Sequence, residues 1–128
     1  MRNFREMIIW KEGINLATEI YRITKLFPKE EEYGLKSQIR RAAVSIPSNI
    51  SEGCSRSSEK EFKRFLEISL GSSFEVETDV ILAERLQMIP ARELKILLGA
   101  LQLEQKRINS LVTKIKNDQS RMRTNPKV

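Results

Sequence analysis

The stretch RRAAVSIPSNISEG, Arg40 to Gly53, decides the fold, because it reads as a helix with an obstacle in it. Leu35, Ile39, Ala42, Ala43, Ile46 and Ile50 recur every three or four residues, the spacing of one buried helical face. Pro47 lies inside that pattern, where a proline removes a backbone donor and crowds the carbonyl four residues back. On a helical wheel the apolar positions cluster in an arc of about 100°, the width of a core face. Gln38, Arg41, Ser45, Asn49 and Glu52 form a second, polar stripe about 100° away. Pro47 falls on neither and is expected to point away from the core, where a bend is absorbed. Ser45 or a neighbouring polar group would then take up the orphaned carbonyl. The polar stripe has two readings, a contact surface or ordinary solvated surface.

Outward from this helix, the same periodicity marks three more. The first runs from about Met7 to Phe27, with Trp10, Ile14, Ala17, Ile20, Tyr21 and Thr24 in its stripe, and Pro28 ends it. The second, containing the quoted stretch, runs from about Tyr33 to Glu52, with Gly53 suited to its C-terminal turn. The third opens on Ser58-Glu59-Lys60-Glu61, the S-x-x-E capping pattern, and reaches about Met88. Pro90 suits the first turn of the fourth, whose apolar face runs from Leu94 to Ile115 and is interrupted at its centre by Glu104 and Gln105. No alternating strand pattern and no internal repeat is present. Long amphipathic helices joined by short turns predict an all-α, antiparallel up-down-up-down four-helix bundle over residues 1–116. Residues 117–128, NDQSRMRTNPKV, lack periodicity and are expected to form a basic, disordered tail.

The chain has 128 residues, 40% apolar and 31% charged, which fits one globular domain with its own core. No apolar run is long enough to span a bilayer and no secretory h-region opens the sequence, so a cytoplasmic protein without a membrane partner is expected. The single cysteine, Cys54, allows no internal disulfide. The formal net charge of +6 resides entirely in the last quarter. Residues 1–104 carry equal numbers of basic and acidic side chains. Lys106, Arg107, Lys114, Lys116, Arg121, Arg123 and Lys127 face only Asp118 beyond them. The first six are the candidate nucleic-acid-binding residues; a solubilising terminus is the other reading.

At this point a resemblance is visible. RRAAVSIPSNISEG, the arginine at 56, EFKRFLEISLGSSFEVET from Glu61 to Thr78, and WKEGINLA from Trp10 resemble a bacterial four-helix-bundle family. Its members were first noticed as proteins encoded in intervening sequences of 23S ribosomal RNA genes. The resemblance spans roughly residues 4 to 115, and its most specific parts are the S-I-P-S-N-I-S-E-G and L-G-S-S-F-E-V-E-T blocks; Ser69 stands where alanine is usual. It implies a homo-oligomer, pentamers being known for the family. A related fold is the accessory protein of diversity-generating retroelements, a basic pentamer that works with a reverse transcriptase and nucleic acid. The family's own biochemical role is undefined. The resemblance gives more weight to Arg41, Ser45, Asn49, Glu52 and Arg56 as an interface or binding stripe.

The turn Gly71-Ser72-Ser73 lacks bulk at mid-helix, although a glycine there costs about 0.5–1 kcal/mol relative to alanine. It is therefore the candidate close-packing turn, against the Pro47 region or a second subunit.

Chemistry is mostly excluded. The chain has no histidine, which removes the commonest general base, the usual catalytic triads and most zinc and iron sites. No phosphate-binding glycine fingerprint is present. Glu67, Glu75, Glu77, Asp79 and Glu84 form an acidic stretch in which Glu75 and Asp79 share a face suited to Mg²⁺, but pairing with Arg40, Arg41 or a neighbouring subunit is the expected role. Cys54 reads as a spectator. No catalytic, metal or cofactor site is expected, and no enzyme. Two functions remain: an oligomer that holds RNA or DNA phosphates on its basic surface, or a protein–protein scaffold or adaptor. Sequence-specific reading of bases is not expected, because the aromatics of the ordered segments look core-type.

Overall fold

The computed structural model describes residues 2–124, with the side chains of residues 123 and 124 excepted. Four α-helices follow one another, α1 (Ile8–Thr24), α2 (Leu35–Cys54), α3 (Glu59–Arg85) and α4 (Ala91–Thr124), and no strand occurs among the described residues. α1 packs on α2, α2 on α3 and α3 on α4, and α4 also touches α1. One apolar core runs through all four, with Ile20, Ile39, Leu66 and Leu101 fully buried within it.

Local chemistry sets the boundaries. α2 begins where the Glu31 carboxylate accepts the Leu35 amide at 3.0 Å, a negative charge at a helix N-terminus. α3 begins at the expected cap, the Ser58 hydroxyl accepting from the Glu61 amide at 3.1 Å. It ends at Arg85, three residues short of the expected Met88. There Gln87 adopts a left-handed φ of 63°, while the Met88 amide donates to the Ala83 carbonyl at 2.8 Å and the Gln87 amide to Glu84 at 2.9 Å. That pair of bonds closes the helix in a Schellman motif, with glutamine where glycine is usual.

Two expectations are corrected here. Pro47 does not point away from the core. It is buried in an unbroken α2, and its ring lies against Gly13 of α1, where an added Cβ would sit 3.3 Å from the Pro47 Cβ. The missing side chain at Gly13 makes the space that the proline ring fills. Helix α4 does not lose structure at residue 117 but runs 34 residues to Thr124. Nothing between 117 and 124 breaks a helix; the first breaker is Pro126, and a residue before proline disfavours the α region. Residues 125–128 of the expected tail lie outside the described residues.

Candidate functional site

The polar stripe of α2 turns towards α3. The Gln38 amide donates to Asp79 at 3.0 Å, the Ser45 and Ser72 hydroxyls meet at 2.8 Å, and Arg56 lies 4.9 Å over the Phe65 ring. Asn49 is half-buried and donates to the Ser45 carbonyl and hydroxyl at 2.9 and 2.8 Å, and Glu52 is paired with Arg56. Arg41, Glu52 and Arg56 are exposed, and Arg41 has only a long contact, 3.5 Å, to Ser37. Most of the stripe is thus engaged within the chain: Gln38 and Ser45 hydrogen-bond α3, while Asn49 and Glu52 are held within α2 and its C-terminal turn.

The small turn of α3 takes part in the contact with α2, but not through its glycine. An added Cβ at Gly71 would meet nothing within 4 Å, so this residue is not a close-packing point inside the chain. Ser72 bonds Ser45, and the buried Ser69 donates to the Ile46 carbonyl at 2.8 Å, beside Pro47. Close approach is instead made at Gly13 and at Gly53, whose Cβ would stand 2.8 Å from the Phe65 Cβ.

The acidic stretch does not pair with Arg40 or Arg41. The Arg40 guanidinium bonds the Thr24 hydroxyl at 2.8 Å and the Tyr21 carbonyl at 3.1 Å, while Glu77 accepts from Gln105 at 2.8 Å and Glu67 pairs with Lys63 at 3.7 Å. Asp79 is buried, with one carboxylate oxygen unpartnered; burial, and then the charge of Glu75, push its carboxyl above the ordinary range. No group of three metal-binding side chains occurs among the described residues. Cys54 is buried beside the Met7 sulfur at 3.4 Å, and burial raises its thiol, which keeps it protonated.

Of the six candidate nucleic-acid-binding cations, Lys106, Lys114, Lys116 and Arg121 are exposed on α4 and Arg107 is half-buried; the Arg123 side chain lies outside those described. Near them is the strongest anomaly of the molecule. Glu104, which interrupts the apolar face of α4, is completely buried and neither of its carboxylate oxygens has a partner. Burial raises its carboxyl to about 8, against a small opposing pull from Arg107, and Glu12 of α1 adds to the rise. The interruption is visible in the sequence, but its depth is not.

The two flanks of α1 differ sharply. Two surface depressions lie between α1 and α2, and a third lies beside them between residues 2–5, ahead of α1, and the C-terminal end of α2. One, about 350 Å³, has Tyr21, Tyr33, Lys36, Arg40 and Arg41 on its walls; the next, about 290 Å³, is floored by Trp10, Ile14, Ala17, Val44 and Pro47. The third, about 370 Å³, carries Arg2, Arg5 and Ser55, and shares Phe4 and Ser51 with the second. Tyr33 is 96% and Tyr21 42% exposed, so the aromatics here are not all core-type as the sequence suggests. Between α1 and α4 lies a tighter cleft of about 120 Å³ with an apolar floor and Glu12, Glu19 and Glu93 around it. Arg22 bridges two of these acids, at 2.8 Å to Glu19 and 3.0 Å to Glu93.

No helix among the described residues is long and apolar enough to cross a membrane. A crystal structure of a protein with unknown function from the S23 ribosomal protein family of Bacteroides thetaiotaomicron is similar, with TM-score 0.76 and 24% sequence identity. The similarity covers 82% of this chain and 98% of that one, and it bears on the fold alone. No curated protein matches the chain. A family model described as 23S rRNA-intervening sequence protein matches residues 5–110. With the SIPSNISEG helix, the ring of four helices and that match over most of its length, the chain belongs to the 23S rRNA-intervening sequence protein family.

Proposed function

We propose that this protein is a non-enzymatic, nucleic-acid-associated, homo-oligomeric bundle whose α4 cations hold phosphates. The observation that carries this reading is the outer surface of α4 after Glu104. Lys106, Lys114, Lys116 and Arg121 are exposed there, and Asp118 is the one acid among them. At about 1.5 Å per residue α4 spans about 51 Å and α3 about 40 Å, so α4 carries its last cations past the length its neighbour covers. Several such cations release condensed counterions when they meet a phosphate backbone, which gives affinity without sequence preference. The family name, tied to ribosomal RNA genes, agrees with a nucleic-acid setting.

The helices run antiparallel, up-down-up-down, in this reading. Contacts pair Gly13 with Pro47 and Thr24 with Arg40, then Ser45 with Ser72 and Gln38 with Asp79, so residue numbers rise on one helix as they fall on the next. Exposed apolar side chains such as Phe74, Leu82 and Ile96 supply surface for self-association, and the family resemblance implies a pentamer. Association multiplies weak phosphate contacts into avidity.

Binding of the full chain to labelled RNA and DNA across a salt series tests the reading. Affinity is expected to fall steeply with salt. Neutralising two exposed cations on one side of α4, Lys106→Gln with Lys114→Gln, is expected to lower the slope of log K against log salt by about 1.4 to 1.8. Absence of binding near physiological salt would instead favour a protein–protein adaptor.

A further inference from the structure

We propose that the seam between α1 and α2 is a binding surface for single-stranded nucleic acid, distinct from the cations of α4. The inference rests on the nucleic-acid reading above and adds to it the strand type and a place.

The three depressions along this seam follow one another. The second and third share Phe4 and Ser51; Tyr21 and Arg40 of the first stand one turn along their helices from Ala17 and Val44 of the second. Their walls hold five cations, Arg2, Arg5, Lys36, Arg40 and Arg41, and one acid, Glu32, which is itself bonded to Lys36 at 3.0 Å. Four of the chain's eight aromatic residues, Phe4, Trp10, Tyr21 and Tyr33, line the same seam. Tyr33 is fully exposed and Tyr21 partly so, with Arg40 over its ring, while Phe4 and Trp10 are half-buried against each other and Arg5 lies over Phe4. A groove that sets cations beside aromatic rings suits a single strand, whose bases stack while its phosphates track positive charge. A duplex keeps its bases stacked inside and offers the aromatics nothing.

The division of labour is visible. Arg2 is bonded through two nitrogens to Glu59, at 2.6 and 2.8 Å, and Arg40 to Thr24 and Tyr21, so these two build the walls. Arg5 and Arg41 are exposed, and neither forms an ion pair among the described residues. They are the phosphate contacts. Ile14 and Val44, 39% and 41% exposed, give the base faces an apolar floor. The seam on the other side of α1, lined by Glu12, Glu19 and Glu93, would repel the same strand, so the charge pattern directs it to one flank.

Trp10 is the chain's sole tryptophan and lies in the middle depression, so its emission reports on this seam. The full chain is titrated with labelled 20-nucleotide oligo(U) and oligo(dT) and with a 20-base-pair duplex, following both label anisotropy and Trp10 emission. The single strands are expected to bind and quench Trp10, the duplex to leave it unchanged. Arg5→Gln with Arg41→Gln is expected to weaken single-strand binding about ten-fold, and Tyr33→Ala, which removes a fully exposed ring, several-fold. Circular dichroism monitors helix content in each variant. Binding with a silent Trp10, or equal quenching by the duplex, would overturn this surface and leave the α4 reading standing. No binding of any nucleic acid would overturn both. A Trp10 change that follows protein concentration alone would make the seam a contact between copies and overturn the proposal.

Discussion

Helix α1 separates two seams with opposite chemistry. Towards α2 it meets a helix whose only acid, Glu52, is paired with Arg56, and the seam collects arginines and aromatic rings. Towards α4 it presents Glu12 and Glu19 to Glu93, with Glu104 buried nearby in the core. The first seam is held by shape, the proline ring of α2 seated on the glycine of α1. The second closes over an apolar floor of Leu16 and Leu97, with one arginine spanning two acids at its rim. Shape leaves the outer surface of a seam free for other uses; charge uses that surface up.

The largest test of this contrast concerns Glu104. Its carboxyl stays protonated to about 8 in the folded chain, against 4.5 for a free glutamate. Unfolded chains therefore give up the proton from about pH 4.5 upward while folded chains keep it. The stability tied to this group is complete below the lower value, falls as pH rises towards the upper one, and is level beyond it. The loss is up to about 1.4 kcal/mol per pH unit over that window. Glu104→Leu is expected to remove the slope and to raise unfolding free energy at about pH 8 by roughly 3 kcal/mol, read by urea melts at about pH 5 and about pH 8. An unchanged slope would mean that the acid is solvated.

Next in size is the glycine–proline contact. Gly13→Leu forces a branched side chain into a space where even a Cβ stands 3.3 Å from Pro47, and is expected to cost about 2 kcal/mol in thermal or urea unfolding. A neutral result would show that α1 and α2 slide apart freely and that shape does not hold this seam. The smallest effect is expected from Arg22→Gln. Removing the bridge leaves Glu19 and Glu93 without their shared cation, so the melting temperature should fall at low ionic strength and recover with added salt. A loss that salt does not repair would point to packing rather than charge.

How far the sequence can be read depends on how many helices a feature involves. The core face of α2, from Leu35 to Ile50, needs only its own periodicity, and it is buried as expected. The cap at Ser58 is equally local. A wheel of α2 misplaces Pro47 because it cannot know that α1 offers Gly13 opposite. Gly71 makes no close contact inside the chain, because it stands two residues from the buried Ser69 and Ser73 and so on the outer side of α3. The wheel finds the stripe through Ser45, but its partner Ser72 reads as part of a separate feature, although one hydrogen bond joins them. The basic aromatic seam draws its residues from two helices and the segments that precede them, so no single wheel displays it.

The left-handed Gln87 has a wider implication. A side chain held at positive φ carries a conformational penalty of about 1 kcal/mol that glycine would not. It sits in the turn between α3 and α4. The fold thus keeps an unclaimed reserve of robustness at this corner, one that a Gln87→Gly substitution can draw on.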